Sequence, residues 1–297
     1  MLSGNGDGVA QRDLSLPAHA ARRARIYAEL SLLGRAGMAA CQGHRAPLWM
    51  SALPAPGVGG GAIPGAAMRA AVRLWLGVGP RSTPPAPRCR CGADVDSDGR
   101  HFLSACPQQE LRRARLHHQI VGLVAAALRR APGWADVVVE PGLDNAHGVL
   151  GPDLREKHGT SDVVTWADVS VEWPFAARLV APVADAPLRV VAGEAREAAK
   201  SAKDSPSLLA TATPHEFTPL VWEAFGRVAP ATDRWLTEAF PGPALAAVRA
   251  GLLRDVSVAI WQSHARGVAD SYARCLGLEA PPVVGGATVE GVSPLLA

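Results

Sequence analysis

Charge is scarce in this chain. Only 19% of its 297 residues are Asp, Glu, Lys or Arg, and the formal net charge is +3. That excludes a polyanionic or polycationic solvating chain. A pI near 8.7 is compatible with nucleic acid without demanding it. Cysteine is also sparse, and its count of five does not fit an even disulfide framework. No signal peptide opens the sequence, so an intracellular protein with reduced thiols is expected. Residues 46–68 carry no charge, but four prolines and five glycines interrupt them, which rules out a spanning helix. No membrane partner and no small-molecule cofactor are expected.

What is present is a globular composition, 48% hydrophobic, with 30 glycines and 25 prolines that signal many loops. Residues 1–16 are polar and glycine-rich and are expected to be disordered. Residues 17–87 read as a helical segment and linker, with helix-like runs at 18–41 and 66–77 and a proline-rich stretch at 81–87. Residues 108–131 place Leu116, Ile120, Leu123, Val124, Ala127 and Leu128 at helical spacing. Strand-like runs follow at 135–140, around 153 and at 163–173, then a helix at 190–203 and a strand at 217–222. Residues 227–278 read as C-terminal helices and 279–297 as a tail. The order helix, strand, strand, strand, helix, strand implies an α/β fold with a mixed sheet between helices.

The most specific local pattern lies at 88–107. Cys89-Arg90-Cys91 is followed after nine residues by His101 and after four more by Cys106. Three thiols and one imidazole are the donor set of a closed tetrahedral zinc site, with Cys91-Gly92 making the turn. The first pair is Cys-x-Cys, tighter than the common Cys-x-x-Cys. The other reading is three free thiols near a surface histidine. Cys41 and Cys275 stand apart and read as half-buried structural cysteines.

Two aspartates carry the second pattern. Asp153 sits in Gly-Pro-Asp-Leu-Arg and Asp168 in Trp-Ala-Asp-Val-Ser-Val-Glu-Trp, with Gly159-Thr160-Ser161 as turn chemistry between them. Neighbouring strands joined by that turn bring the two together. Adjacent carboxylates repel unless they share a proton or a cation. A hard cation such as magnesium takes one or two carboxylates plus phosphate and water, as a phosphodiester-cleaving site needs. The plainer reading is solvent-facing aspartates at strand ends. Arg112, Arg113, Arg115, Arg129 and Arg130 cluster on the 108–131 helix. They form either a solvated face or a set of phosphate contacts. His117 and His118 on the same helix read as structural or solvated. Glu194, Arg196, Glu197, Lys200 and Lys203 read as the face of a surface helix.

In this order the motifs resemble the C-terminal region of non-LTR retrotransposon polyproteins that carry a restriction-like endonuclease. The resemblance covers roughly residues 46–270. Trp49-Met50-Ser51-Ala52-Leu53-Pro54 and Leu74-Trp75-Leu76-Gly77 look like the exit from a polymerase thumb. Cys89, Cys91, His101 and Cys106 match the family's zinc knuckle. His118 falls at the family's histidine. Glu140-Pro141, Pro152-Asp153 and Asp168-Val169-Ser170-Val171 match the nuclease motifs in order, and Phe217-Thr218-Pro219-Leu220-Val221 the strand after the lysine helix.

The resemblance implies a restriction-endonuclease-like, PD-(D/E)xK-type domain over 108–226. Asp153 and Asp168 would hold magnesium or manganese, with Glu140 and His118 in support. Ser170 stands where that motif has lysine, so Lys200, with Lys203 in reserve, is the implied catalytic lysine. Asp162 competes with Asp153 as first carboxylate, although six residues before Asp168 is short for two strands and a turn. DNA is the implied partner, element RNA a second, and the nucleus the implied location. No Tyr-x-Asp-Asp polymerase signature occurs, so the chain is expected to be no reverse transcriptase by itself. Asp204 stands where many relatives have an aromatic residue. Three readings follow: a metal-dependent endonuclease remnant, a zinc-containing nucleic-acid-binding fragment without catalysis, and an unselected fragment that folds only in part.

Overall fold

The computed structural model of the chain describes residues 11–41, 45–51, 65–76, 88–95, 99–104, 106–139, 153–158, 164–173, 179–185, 191–209 and 215–275. Helices α1 (Gln11–Glu29), α2 (Leu32–Cys41), α3 (Gly65–Trp75) and α4 (Arg100–Ser104) precede the sheet. Then come α5 (Glu110–Arg130), β1 (Trp134–Val139), β2 (Leu154–His158) and β3 (Val164–Glu172). The chain continues through α6 (Val180–Asp185), α7 (Val191–Leu209), β4 (His215–Glu223), α8 (Pro230–Ala239) and α9 (Gly242–Cys275). The expected α/β class holds. α1 begins at Gln11, inside the stretch 1–16 expected to be disordered, and residues 1–10 lie outside the described residues. The Ala- and Arg-rich part of α1, which carries its high helix propensity, follows Pro17. The proline-rich linker at 81–87 and the tail at 279–297 lie outside the described residues.

The four strands form one mixed sheet in the order β1-β2-β3-β4. β1 pairs antiparallel with β2 and β2 with β3, while β3 and β4 run parallel. The parallel pair needs a crossover, and α6 and α7 supply it. In β1 the register shifts between Ala135 and Val138, where Asp136 takes a left-handed φ of 54° and bulges the strand.

Alternation along β3 decides what each face of the sheet does. Ala167 and Val169 are buried in the core shared with α5, α8 and α9, beside Leu154, Leu220 and Trp222. Asp168, Ser170 and Glu172 point to the opposite face, where Lys200 and Arg196 of α7 meet them. On α5 the residues Leu116, Ile120, Val124 and Leu128 are buried, one helical stripe as the spacing implied.

α9 is buried along much of its 34 residues and joins two cores. Leu252, Val256 and Ile260 face the sheet-side core. Trp261, Ala265, Val268 and Tyr272 pack with Trp49, Leu74, Phe102 and the cysteine cluster. Gly99, at φ +72°, lets the chain pass so close to α9 that a Cβ would meet Val268 Cγ1 at 2.7 Å.

His264 sits at the junction of these cores. Its ring stacks on Trp173 at 5.5 Å and 15°, and its Nδ1 lies 3.3 Å from the Ile260 carbonyl. Complete burial, reinforced by the Arg112 charge, lowers its pKa to about 3. An unfolded histidine titrates near 6.5. Below that pH the unfolded chain takes up a proton that the fold refuses. Stability from this residue is therefore complete above pH 6.5 and declines as pH falls toward 3. The melting temperature should drop across that window, and His264→Phe should flatten the drop. An unchanged pH profile in the variant would show that His264 is not the group responsible.

Candidate metal centres and carboxylate pair

The cysteine cluster is built by a turn and a short helix. The Cys89 amide donates to the Ala93 carbonyl at 2.9 Å and the Gly92 amide to the Cys89 carbonyl at 2.8 Å. Gly92 closes this knuckle at φ +88°. His101 comes from α4, and the Cys106 amide donates to the His101 carbonyl at 3.0 Å. The four ligand atoms of Cys89, Cys91, His101 and Cys106 all lie within 4.8 Å of one another. Cys89 Sγ is 3.5 Å from Cys106 Sγ, and Cys91 Sγ is 3.2 Å from His101 Nε2. Tetrahedral zinc with ordinary bond lengths separates its ligands by about 3.5–3.8 Å, so the donor set fits.

The electrostatics agree. Burial opposes ionisation of Cys89. Hydrogen bonds from the Cys91 amide and from His101, Cys91 and Cys106 outweigh it and bring the pKa down to about 7. Burial and the hydrogen bond to Cys89 push Cys106 up to about 12. Thiols crowded in this way can ionise together only around a cation. Cys41 and Cys275 are half-buried, as expected.

The carboxylate pair is set by the β2–β3 register. Leu154 pairs with Ala167, which carries Asp153 alongside Asp168. Past that last pair, the Val169 amide donates to Asp153 Oδ2 at 2.5 Å. The other oxygen, Oδ1, lies 2.8 Å from His117 Nε2. Lys200, with its side chain only 9% exposed, bonds Asp168 through Nζ.

The two aspartates respond in opposite directions. Burial and the hydrogen bond with Asp153 raise Asp168 to about 7, although Lys200 works against this. Burial opposes ionisation of Asp153 too, but His117, Asp168 and the Val169 amide outweigh it and lower its pKa. The hydrogen bond to Asp153 raises His117 against the opposing effect of burial. Below about pH 7 one proton is therefore shared between the two carboxylates.

The histidine on Asp153 is His117. His118, the residue carried over from the resemblance, is exposed and touches the His117 ring edge-on at 5.5 Å. The helical phase gives the reason: His117 follows the buried Leu116, whereas His118 has turned toward solvent. Lys203 is exposed, nearly one helical turn beyond Lys200. Glu140 and Asp162 lie outside the described residues.

α7 is not the plain surface helix expected from its charges. Lys200 and Glu197 are buried, and Glu197 Oε1 accepts from the Thr232 amide at 3.0 Å at the start of α8. The arginine face divides as well. Arg112 is half-buried on Asp270 and the Ser263 carbonyl. Arg113 donates to the Cys106 carbonyl, Arg129 to Val137 and Arg130 to Ala126. Arg115 is exposed and bonds no described residue. Sequence spacing could not separate these roles, since they depend on which residue of α9 or β1 lies opposite.

No protein-family model matches the chain. Over 87 residues it is 36% identical to the retrovirus-related Pol polyprotein from type-1 retrotransposable element R2 of Popillia japonica. That stretch is 29% of this chain and 19% of the polyprotein, so the chain spans less than a fifth of the length of that relative. The similarity relates the chain to a retrotransposon polyprotein, and the Cys89, Cys91, His101 and Cys106 cluster is one that could hold zinc.

Proposed function

We propose that the chain is a divalent-cation-dependent DNA endonuclease with a restriction-endonuclease-like core and a structural zinc knuckle. One observation carries the reading: Asp153 and Asp168 meet on the inner strands of the sheet, with Lys200 of the following helix on Asp168. The order α5, β1, β2, β3, α7, β4 supports it, interrupted among the described residues only by the short α6.

Asp153 and Asp168 would hold magnesium or manganese, which when bound supplies charge at the phosphate and a water of lowered pKa. The chain's own residues do the rest. His117 and the Val169 amide fix both oxygens of Asp153, so that carboxylate is oriented before any ligand arrives. Lys200 comes from a helix and not from the strand, because Ser170 occupies the strand position. Its ammonium balances Asp168 and stands ready to offset charge on the phosphate as water attacks. The new bond joins water oxygen to phosphorus. The bond that breaks frees a 3′-hydroxyl, and such an end can prime synthesis.

Purified full-length chain should nick supercoiled plasmid in magnesium or manganese. Asp153→Ala, Asp168→Ala and Lys200→Ala should each lower the rate by about 100-fold or more. Duplex binding that weakens steeply with salt, without nicking in either metal, would instead make the chain a binding module.

The proton shared by the carboxylates must leave before a dication can take both. The thermal shift produced by manganese should therefore grow as pH rises through about 7, where Asp168 titrates. Equal shifts well below and well above that pH would argue against metal at this pair.

One zinc per chain is expected by elemental analysis. Cys106→Ser should lose it and lower the melting temperature, since metal-binding energy becomes folding energy. Native melting with no zinc would show that the knuckle folds without metal.

A further inference from the structure

Resting on the endonuclease reading, we infer that Arg196 is a second phosphate subsite, holding a phosphodiester next to the one that is cut. The polar row of β3 faces the cationic row of α7. Lys200 meets Asp168, and one rung along Arg196 Nε donates to Ser170 Oγ at 2.9 Å. Strand and helix run in opposite directions, so two residues of β3 match four of α7. Two strand residues span about 6.5 Å. Four helix residues rise about 6 Å. That is comparable to one backbone step of a nucleic-acid strand, so cations on successive rungs suit successive phosphates.

The two cations are held differently. Lys200 is buried against its aspartate. The Arg196 side chain is 40% exposed, and only its Nε has partners: Ser170 Oγ, and Glu172 Oε2 at 3.9 Å. Both Nη groups are without a hydrogen bond to any described residue. The guanidinium is thus anchored along one edge while the other edge presents its donors outward. Such a fork matches two phosphate oxygens, which a lysine ammonium does not. Glu172 holds the fork without neutralising it closely.

Ser170 also explains the arrangement. It stands where the resembled motif has lysine, and a lysine there would fill the space that Arg196 takes. A serine hydroxyl instead accepts from Arg196 and fixes its direction. Arg196 is a substrate-positioning residue, acting on binding more than on the chemical step.

The test uses full-length protein and a duplex with a mapped nick. A neutral methylphosphonate replaces, in turn, the linkage on either side of the cut. With wild-type protein, one of the two replacements should raise KM about tenfold and leave kcat within about twofold. Arg196→Gln should raise KM similarly on the natural duplex and be insensitive to that replacement, while Arg196→Lys recovers part of the loss. If neither flanking replacement changes KM, the subsite is overturned while the nuclease stands. A fall in kcat at constant KM would likewise overturn it. If wild-type protein nicks nothing, the nuclease reading fails, and duplex affinity by fluorescence anisotropy decides the subsite. Arg196→Gln should then weaken binding and flatten the salt dependence by about one charge. Unchanged affinity and slope would reject it.

Discussion

Two like charges forced together set the terms for this molecule. Once the β2–β3 register places Asp153 beside Asp168, the fold must offset their repulsion in a site largely removed from water. Each neighbour contributes to that. His117 and the Val169 amide favour the charge on Asp153, Lys200 balances Asp168, and a shared proton holds what is left. A pair evolved only for stability would be replaced by an apolar pair at little cost. Two half-buried carboxylates kept adjacent are a costly arrangement, and under the proposed reading a dication would take the place of the proton.

That arrangement works only if α7 cannot slide, and buried carboxylates hold it at both ends of its contact. Glu223 is fully buried at the end of β4 and accepts from the Gly193 amide at 3.1 Å, in the first turn of α7. Anionic charge at a helix N-terminus is favourable there. Arg227 lies against Glu223 and also donates to the Ala39 carbonyl of α2, which ties the N-terminal helices to the same point. Farther along, Glu197 serves α8 as Glu223 serves α7, and the Thr232 hydroxyl that it meets accepts from the Val221 amide at 2.6 Å. Helix, edge strand and next helix are therefore one hydrogen-bonded unit. Lys200, nearly one turn from Glu197, inherits its position from that unit.

Much of this was legible in the sequence, for identifiable reasons. The β3 run is rich in β-branched and aromatic residues, so its strand character could be read from the sequence. The Cys-x-Cys, His, Cys spacing stood out because three thiols and an imidazole within 18 residues form a complete zinc donor set. The choice of Lys200 came from the resemblance and not from the residues themselves, which read as the face of a surface helix. What could not be read depended on partners distant in the chain. Choosing His117 over His118 needs the position of Asp153, 36 residues away. Glu197 looked like a surface ion-pair residue because its real partner, Thr232, lies 35 residues away at the start of α8. Arg112 looked like a phosphate contact, yet it lies across Gly267 of α9, whose missing side chain makes room for it.

The cysteine–histidine knuckle and the carboxylate pair are linked through α5. Cys106, the last residue of the Cys/His cluster, lies immediately before the turn that starts this helix, and Arg113 of α5 donates back to the Cys106 carbonyl at 3.1 Å. One turn later the same helix presents His117 to Asp153. On the opposite side, Gln109 bonds Ser271 of α9 at 2.8 Å, and Arg112 bonds Asp270. The start of α5 is therefore clamped between knuckle and α9 before it reaches the sheet. Under the proposed reading, metal at the knuckle would fix the origin of a helix that Arg112 and Arg113 anchor in its first turn and from which His117 meets Asp153. The knuckle can thus influence the site without touching it, through helix position alone.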